Sequence, residues 1–175
     1  MKNSAPPPKL DPFEMFCSAY AYRVAANRLK PIDRSGEPNL AVPYVVLAGV
    51  SLEILLKAVL KDEGTDFKKL HDLSALFNAI SEGTKDKIRK EFQPHIKRHQ
   101  KGVESFYRNQ GISAAVPLIN VDSLIEVSKQ AFQKFRYHYE GNLEFGTGWW
   151  ADDVFVAIMH VVLSQHPDWT SKSQN

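Results

Sequence analysis

The chain has 175 residues, a length that suits one domain with a buried core. Apolar residues make up 43% of it and charged residues 24%, a balance that excludes wholesale disorder. The formal net charge is only +2, so any argument for nucleic-acid binding has to come from local clusters of charge. Cys17 is the single cysteine, which excludes a disulfide within the chain.

We expect an all-α protein with a disordered tail over residues 1–9, one helical-bundle domain over residues 10–166 and a C-terminal tail over residues 167–175. Both tails are rich in Pro, Ser, Lys and Asn. The first segment lacks the apolar stretch of a signal peptide. The longest apolar runs, 44–50 and 154–159, are shorter than the roughly 20 residues that a membrane span needs. These features predict a cytoplasmic protein with no membrane partner.

Helical periodicity predicts a first helix over residues 13–29, capped by Asp11 and with Pro12 at its first position. A second helix over residues 40–62 is apolar on nearly every side, which is typical of the centre of a bundle. A short third helix over residues 72–80 follows.

The fourth predicted helix is basic and covers residues 84–99, with Thr84 as its cap and Pro94 as a kink. Residues 102–120 are predicted to be mostly loop. A fifth helix is predicted over residues 122–139, followed by a glycine-rich loop.

The last predicted element covers residues 150–165. Its many valines favour a strand. Its length, the acidic Asp152 and Asp153 in its first turn and the lack of a partner strand favour a helix, which is our prediction. The segment is apolar almost all round, so we expect it to be packed on several sides, with a dimer interface as one option.

Glu53 and Lys57 lie four residues apart in the apolar second helix, so they share a face and can form an ion pair. This pair is either a structural device that fixes helix register or part of a polar cluster lining a site. Asp72 is a natural cap for the third helix, and the neighbouring His71 can bond to another helix.

A second group of polar side chains ends the fifth predicted helix. Arg136 suits a phosphate or carboxylate, and His138 can transfer a proton near neutral pH. Tyr137 and Glu140 complete the group. The alternative is that Arg136 pairs with Glu53 or Asp72 inside the bundle.

Residues 85–101 carry many cations and few acids. Such a run is either a solvated helix face or a surface that contacts phosphates, with Phe92 and the nearby Phe106, Tyr107 and Arg108 as candidates for base stacking. The candidate nucleic-acid contacts are Lys87, Arg89, Lys90, Lys97 and Arg98. His95 and His99 have the spacing of zinc ligands, but no third ligand is evident, and no cofactor motif occurs. We therefore expect neither a metal nor a cofactor.

The order of three motifs resembles the HEPN family of helical-bundle domains, over roughly residues 10–166. The motifs are Ser51-Leu52-Glu53-Ile54-Leu55-Leu56-Lys57, then His71-Asp72-Leu73-Ser74-Ala75-Leu76, and finally Arg136-Tyr137. The resemblance implies an antiparallel bundle, here of five to six helices, frequently a homodimer. It also implies links to RNA or nucleotides in toxin–antitoxin or antiviral defence systems, with an antitoxin or a nucleotidyltransferase as partner.

Active members of the family are metal-independent ribonucleases with an arginine followed, four to six residues later, by a histidine. Arg136 occupies the position of the arginine, but no histidine lies four to seven residues beyond it, and His138 is only two residues away. Our leading hypothesis is thus a HEPN-like binding module centred on Glu53, Lys57, His71, Asp72 and Arg136. The alternatives are an endoribonuclease using Arg136 and His138, or a purely structural helical protein that binds a partner.

Overall fold

A computed structural model describes residues 11–30, 40–67, 70–129 and 151–172. These residues are mostly helical and contain no β-strand, which confirms the predicted all-α class. Seven helices occur among them, and the one without a predicted counterpart is the last. They are α1 Pro12–Leu29, α2 Ala41–Asp62, α3 Leu73–Ala79, α4 Glu82–Asn109, α5 Val121–Ser128, α6 Ala151–Gln165 and α7 Asp168–Lys172.

The ends of α1 and α2 follow the local sequence signals. The Asp11 carboxylate accepts a hydrogen bond from the backbone N–H of Phe13 at 2.7 Å, and Pro12 takes the first helical position. Gly64 lies just beyond α2 with a φ of 72°, a left-handed conformation that glycine adopts without a steric penalty.

The second helix lies at the centre of the fold, packed against α1, α3 and α6. Leu52, Leu55, Leu56 and Leu60 on it are almost completely buried. Among the described residues, α2 is also the one helix with the length and hydropathy to cross a membrane, and 56% of its most apolar window is buried inside the fold. A buried central helix of a bundle has the same length and composition.

The fourth helix is longer than predicted at both ends. It begins at Glu82, so Thr84 lies inside it, and the preceding Ser81 accepts hydrogen bonds from the backbone N–H of Thr84 and Lys85. At the other end it continues to Asn109 through Gly102, a stretch that we predicted to be loop. It also continues through Pro94.

The fifth helix begins with a reciprocal cap between Asn120 and Ser123, which places its start at Val121, one residue before the prediction. The described part ends at Ser128. The rest of the helix predicted up to residue 139, and the loop after it, lie outside the described residues.

The last long segment is α-helical, as predicted, despite its strand-favouring valines. Its apolar residues Val154, Phe155, Ile158 and Val161 are buried within the chain itself, because α6 packs against both α2 and α4. This packing supplies the several-sided burial that the sequence called for.

The predicted C-terminal tail requires a correction, because Asp168–Lys172 forms α7. Trp169 on this helix is 7% exposed and packs against Phe13 and Phe16 of α1, with ring centroids 5.5 and 5.4 Å away. Burial of a large aromatic ring, which composition alone does not reveal, holds this helix on the fold.

Candidate functional site

The predicted pair on α2 is present and includes a third residue. Lys57 Nζ lies 2.6 Å from Glu53 Oε1, and His71 Nδ1 lies 2.9 Å from the same oxygen. The side chains of Glu53 and Lys57 are 10% and 15% exposed, whereas that of His71 is 57% exposed. We call Glu53, Lys57 and His71 the α2 polar cluster. It leads from the buried face of α2 to the surface.

The remaining predicted members of that cluster do not join it within the described residues. The Asp72 carboxylate accepts a hydrogen bond from the backbone N–H of Ala75 at 2.9 Å, so Asp72 acts as the N-terminal cap of α3. The predicted residues Arg136, Tyr137, His138 and Glu140 lie outside the described residues.

Two of the five predicted nucleic-acid contacts are paired with carboxylates of neighbouring helices. Arg89 donates to Asp122 of α5 through two nitrogens, at 2.8 and 3.1 Å, and these hydrogen bonds hold the pKa of Asp122 below its ordinary value. Arg98 forms an ion pair with Asp153 of α6. Both arginines therefore fasten α4 to its neighbours.

Lys85 is buried and pairs with Glu82, and the five remaining cations of α4 lie along one exposed face. They are Lys87, Lys90, Lys97, Lys101 and Arg108, and all five side chains are exposed. At 3.6 residues per turn they fall within an arc of about 80° and span about 30 Å along the helix axis. No acidic residue shares that arc, and none of the five forms an ion pair with a carboxylate of the described residues. We call these five residues the α4 cationic stripe.

The stripe lies opposite the face of α4 that packs on the fold. Ile88 and Phe92 on that face are completely buried. Phe92 therefore cannot stack on a base, contrary to the sequence-based suggestion. With its apolar face covered and eight cations against four acids along its length, α4 presents positive charge to solvent.

Asp152 and Asp153, which were predicted only as first-turn acids of the last helix, connect α6 to other helices. Asp152 accepts hydrogen bonds from Arg23, from the Tyr44 hydroxyl and from Lys30 Nζ, the last at 2.7 Å. Arg23 is 5% exposed, and burial lowers its pKa and raises that of Tyr44. One guanidinium nitrogen of Arg23 has no hydrogen-bond acceptor among the residues that the structure describes, and the group lies over the Phe155 ring.

The adjacent Asp153 binds α4 instead. It pairs with Arg98, and His99 Nε2 lies 2.7 Å from it and His95 Nδ1 3.4 Å from it. Burial raises the pKa of Asp153, but the hydrogen bonds from Arg98 and His99 outweigh burial and keep the value below normal. The sequence shows two acids in the first turn of an apolar helix. It does not show which cations pair with them, because those cations come from distant helices.

His95 and His99 both face this carboxylate, and His99 stacks on Phe92 with the ring planes 9° apart. Among the described residues no group of three or more histidine, cysteine or acidic side chains is arranged to hold a metal ion.

The described polar residues thus divide into two kinds. The acids of α6 and the α2 polar cluster have their charges matched within the fold, whereas the α4 cationic stripe has charges left for a ligand. The stripe is therefore the candidate binding site. No protein-family model, no curated protein and no solved structure matches this chain.

Proposed function

We propose that the protein is a HEPN-like helical module that binds RNA through the α4 cationic stripe. The observation that carries this proposal is the arrangement of five exposed cations on one face of one helix, with no acid among them. Each cation that meets a phosphate releases condensed counterions, which makes such a line a general binding surface for a nucleic-acid backbone.

The burial of the opposite face favours a nucleic acid over a membrane as the ligand. A basic helix binds a bilayer by inserting its apolar face between the lipids. The apolar face of α4 is occupied by the core, with Ile88 and Phe92 fully buried. Only the exposed cations of α4 are available to bind a ligand, and they suit the phosphates of a nucleic-acid backbone.

Support for the family assignment comes from the all-helical class and from the α2 polar cluster. The Glu-x-x-x-Lys segment and the His-Asp-Leu segment meet at Glu53 Oε1, where His71 lies 18 residues after Glu53 in the chain. In this proposal the cluster fixes the position of α3 against α2, and the ligand is held by α4.

Binding of a fluorescent single-stranded RNA, followed by anisotropy over a range of salt concentrations, tests the proposal. Replacing Lys90, Lys97 and Lys101 together by alanine should weaken binding at least tenfold at low salt. It should also reduce the slope of log K against log salt by about 2, since each phosphate contact in a single strand contributes about 0.7.

Two controls accompany this variant. Replacing the same three lysines by arginine preserves the charge. The affinity should stay within about threefold of the wild-type value, because phosphate contacts depend on charge. Replacing Arg28 and Lys129, which lie on α1 and at the end of α5, by alanine should have a small effect. Equal losses in the stripe variant and in this distant variant would overturn the proposal.

Several expectations from the sequence stay predictions. The homodimer, the antitoxin or nucleotidyltransferase partner and the cytoplasmic location are among them, and light scattering tests the first. Ribonuclease activity through Arg136 and His138 is another, because both residues lie outside the described residues. An RNA-cleavage assay in EDTA, with His138→Ala as the comparison, tests it.

A further inference from the structure

The composition of the α4 cationic stripe restricts the kind of nucleic acid that fits it. Besides its five cations, the same arc of the helix contains only Gly83, Pro94 and Ser105. Within the described arc, the stripe thus offers phosphate contacts but no aromatic ring for a base to stack on. Contacts to phosphates position a protein on a nucleic acid without reading its sequence.

A single strand gains little from such a surface. Proteins that bind single strands without sequence preference combine a positive groove with aromatic side chains on which successive bases stack. Without stacking, the flexible strand has to be ordered along the helix by charge alone, which opposes binding through lost conformational entropy. A duplex is already ordered, and its phosphates lie in fixed rows.

The helix that carries the stripe is fastened along both of its flanks. Arg89 joins it to Asp122 of α5 on one side, and Arg98 and His99 join it to Asp153 of α6 on the other. These contacts, together with the buried Phe92, hold the helix in place, and the five cations are attached to it along about 30 Å. This length is close to the 34–36 Å of one turn of a B-form duplex.

We infer that the α4 cationic stripe binds the phosphate backbone of double-stranded nucleic acid in preference to a single strand, without sequence preference. The inference rests on the proposed function, since both use the same residues. It adds that the ligand is double-stranded, because the cations lie on a helix that is packed on the fold and the described arc contains no aromatic side chain.

The test compares labelled duplexes of about 20 base pairs, in RNA and in DNA, with each of their separate strands. The duplex should bind at least tenfold more tightly than either strand at the same salt concentration. Its salt dependence should be steeper, about 0.9 per phosphate contact against about 0.7 for a single strand. Two duplexes of unrelated sequence should bind within about twofold of each other.

An aromatic residue added to the stripe provides a second, independent test. Ser105 is exposed at the edge of the arc, so Ser105→Trp should raise affinity for a single strand about fivefold or more through stacking and leave duplex affinity unchanged. The matched control, Ser18→Trp on an exposed position of α1, should change neither. Circular dichroism of both variants confirms that they remain folded.

The outcomes separate this inference from the proposed function. A single strand that binds as tightly as the duplex, or a strong preference between duplex sequences, overturns the inference and leaves RNA binding intact. Absence of binding to every probe overturns both. Preference for the RNA duplex over the DNA duplex, or equal binding to the two, supports the inference provided that each exceeds its single strands.

Discussion

Asp152 and Asp153 are adjacent in the chain, yet their carboxylates bind cations from different helices. Asp152 pairs with Arg23 of α1, which is 5% exposed, and Asp153 pairs with Arg98 of α4, whose side chain is 65% exposed. Two neighbouring acids at the start of α6 therefore hold α1 on one side and α4 on the other.

We expect the two acids to differ in their contribution to stability. Asp152→Asn removes the ion-pair partner of the buried Arg23, which should lower the free energy of unfolding by about 3–5 kcal/mol. Asp153→Asn should cost about 1–2 kcal/mol, because Arg98 can turn into solvent. Urea unfolding followed by circular dichroism at pH 7 measures both values.

Asp86→Asn is the matched control for this pair, since the Asp86 side chain is 71% exposed, and it should cost no more than about 0.5 kcal/mol. An Asp153 variant as unstable as the Asp152 variant would contradict the assignment of the buried role to Asp152.

The contact between Arg89 and Asp122 should make the link between α4 and α5 sensitive to acid. Arg89 holds the pKa of Asp122 below its ordinary value of 3.8. Because the folded-state pKa is the lower one, the stabilisation is present above about pH 4 and is lost as the pH falls through the folded-state value. Since the Asp122 side chain is 43% exposed, we expect less than about 1 kcal/mol.

Between pH 5 and pH 2, the free energy of unfolding of the Arg89→Ala variant should therefore fall less than that of the wild type. Unfolding in urea at a series of pH values measures the difference, with Lys87→Ala as the control because Lys87 lies on the exposed stripe. Identical pH profiles for Arg89→Ala and the wild type would argue against this pair as an acid-sensitive contact.

Within the α2 polar cluster, the costs of removing the charges of Glu53 and Lys57 should not be additive. Lys57→Met leaves the largely buried Glu53 with His71 as its partner among the described residues and should cost about 1–3 kcal/mol. The double variant Glu53→Leu/Lys57→Met should cost less than the sum of the single variants, with a coupling energy of about 1 kcal/mol or more. A double-mutant cycle in urea measures the coupling.

The exposed pair Glu126 and Lys129 provides the comparison. Its side chains are 54% and 46% exposed, so the coupling energy should stay below about 0.5 kcal/mol. Equal coupling in the two pairs would show that burial does not strengthen the contact on α2.

Pro94 should weaken α4, because a proline inside a helix removes one backbone hydrogen bond and its ring clashes with the preceding turn. Its side chain is exposed, so Pro94→Ala loses little packing. We expect a gain of about 1–3 kcal/mol in the free energy of unfolding. Thermal unfolding checks it, and a lower melting temperature for Pro94→Ala would mean that the proline ring stabilises the helix.

Local signals predicted much of the fold correctly. The start of α1 follows from Asp11 and Pro12, and the pairing of Glu53 with Lys57 follows from their spacing alone. These features depend on residues within one or two turns of each other. The local sequence is therefore enough to predict this helix start and this ion pair.

The errors concern one helix end that local signals misplaced and several charges whose partners are distant in sequence. Gly102 and the polar residues around it favoured a loop, although a side chain at Gly102 would meet no other atom, and α4 continues through it. Asp152 and Asp153 have a role only because the fold brings Arg23 and Arg98 to them. Likewise, the sequence alone does not show that Arg89 and Arg98 form ion pairs within the fold while the neighbouring lysines stay exposed.

The packing of Trp169 on Phe13 has a practical consequence for handling the protein. The first turn of α1 and the last described helix lie side by side, so Asp11 and Lys172 mark neighbouring points of the described structure. Fusion partners or fluorophores placed at these two points would be close enough for energy transfer. Their separation would report on undocking of α7 from α1 during unfolding.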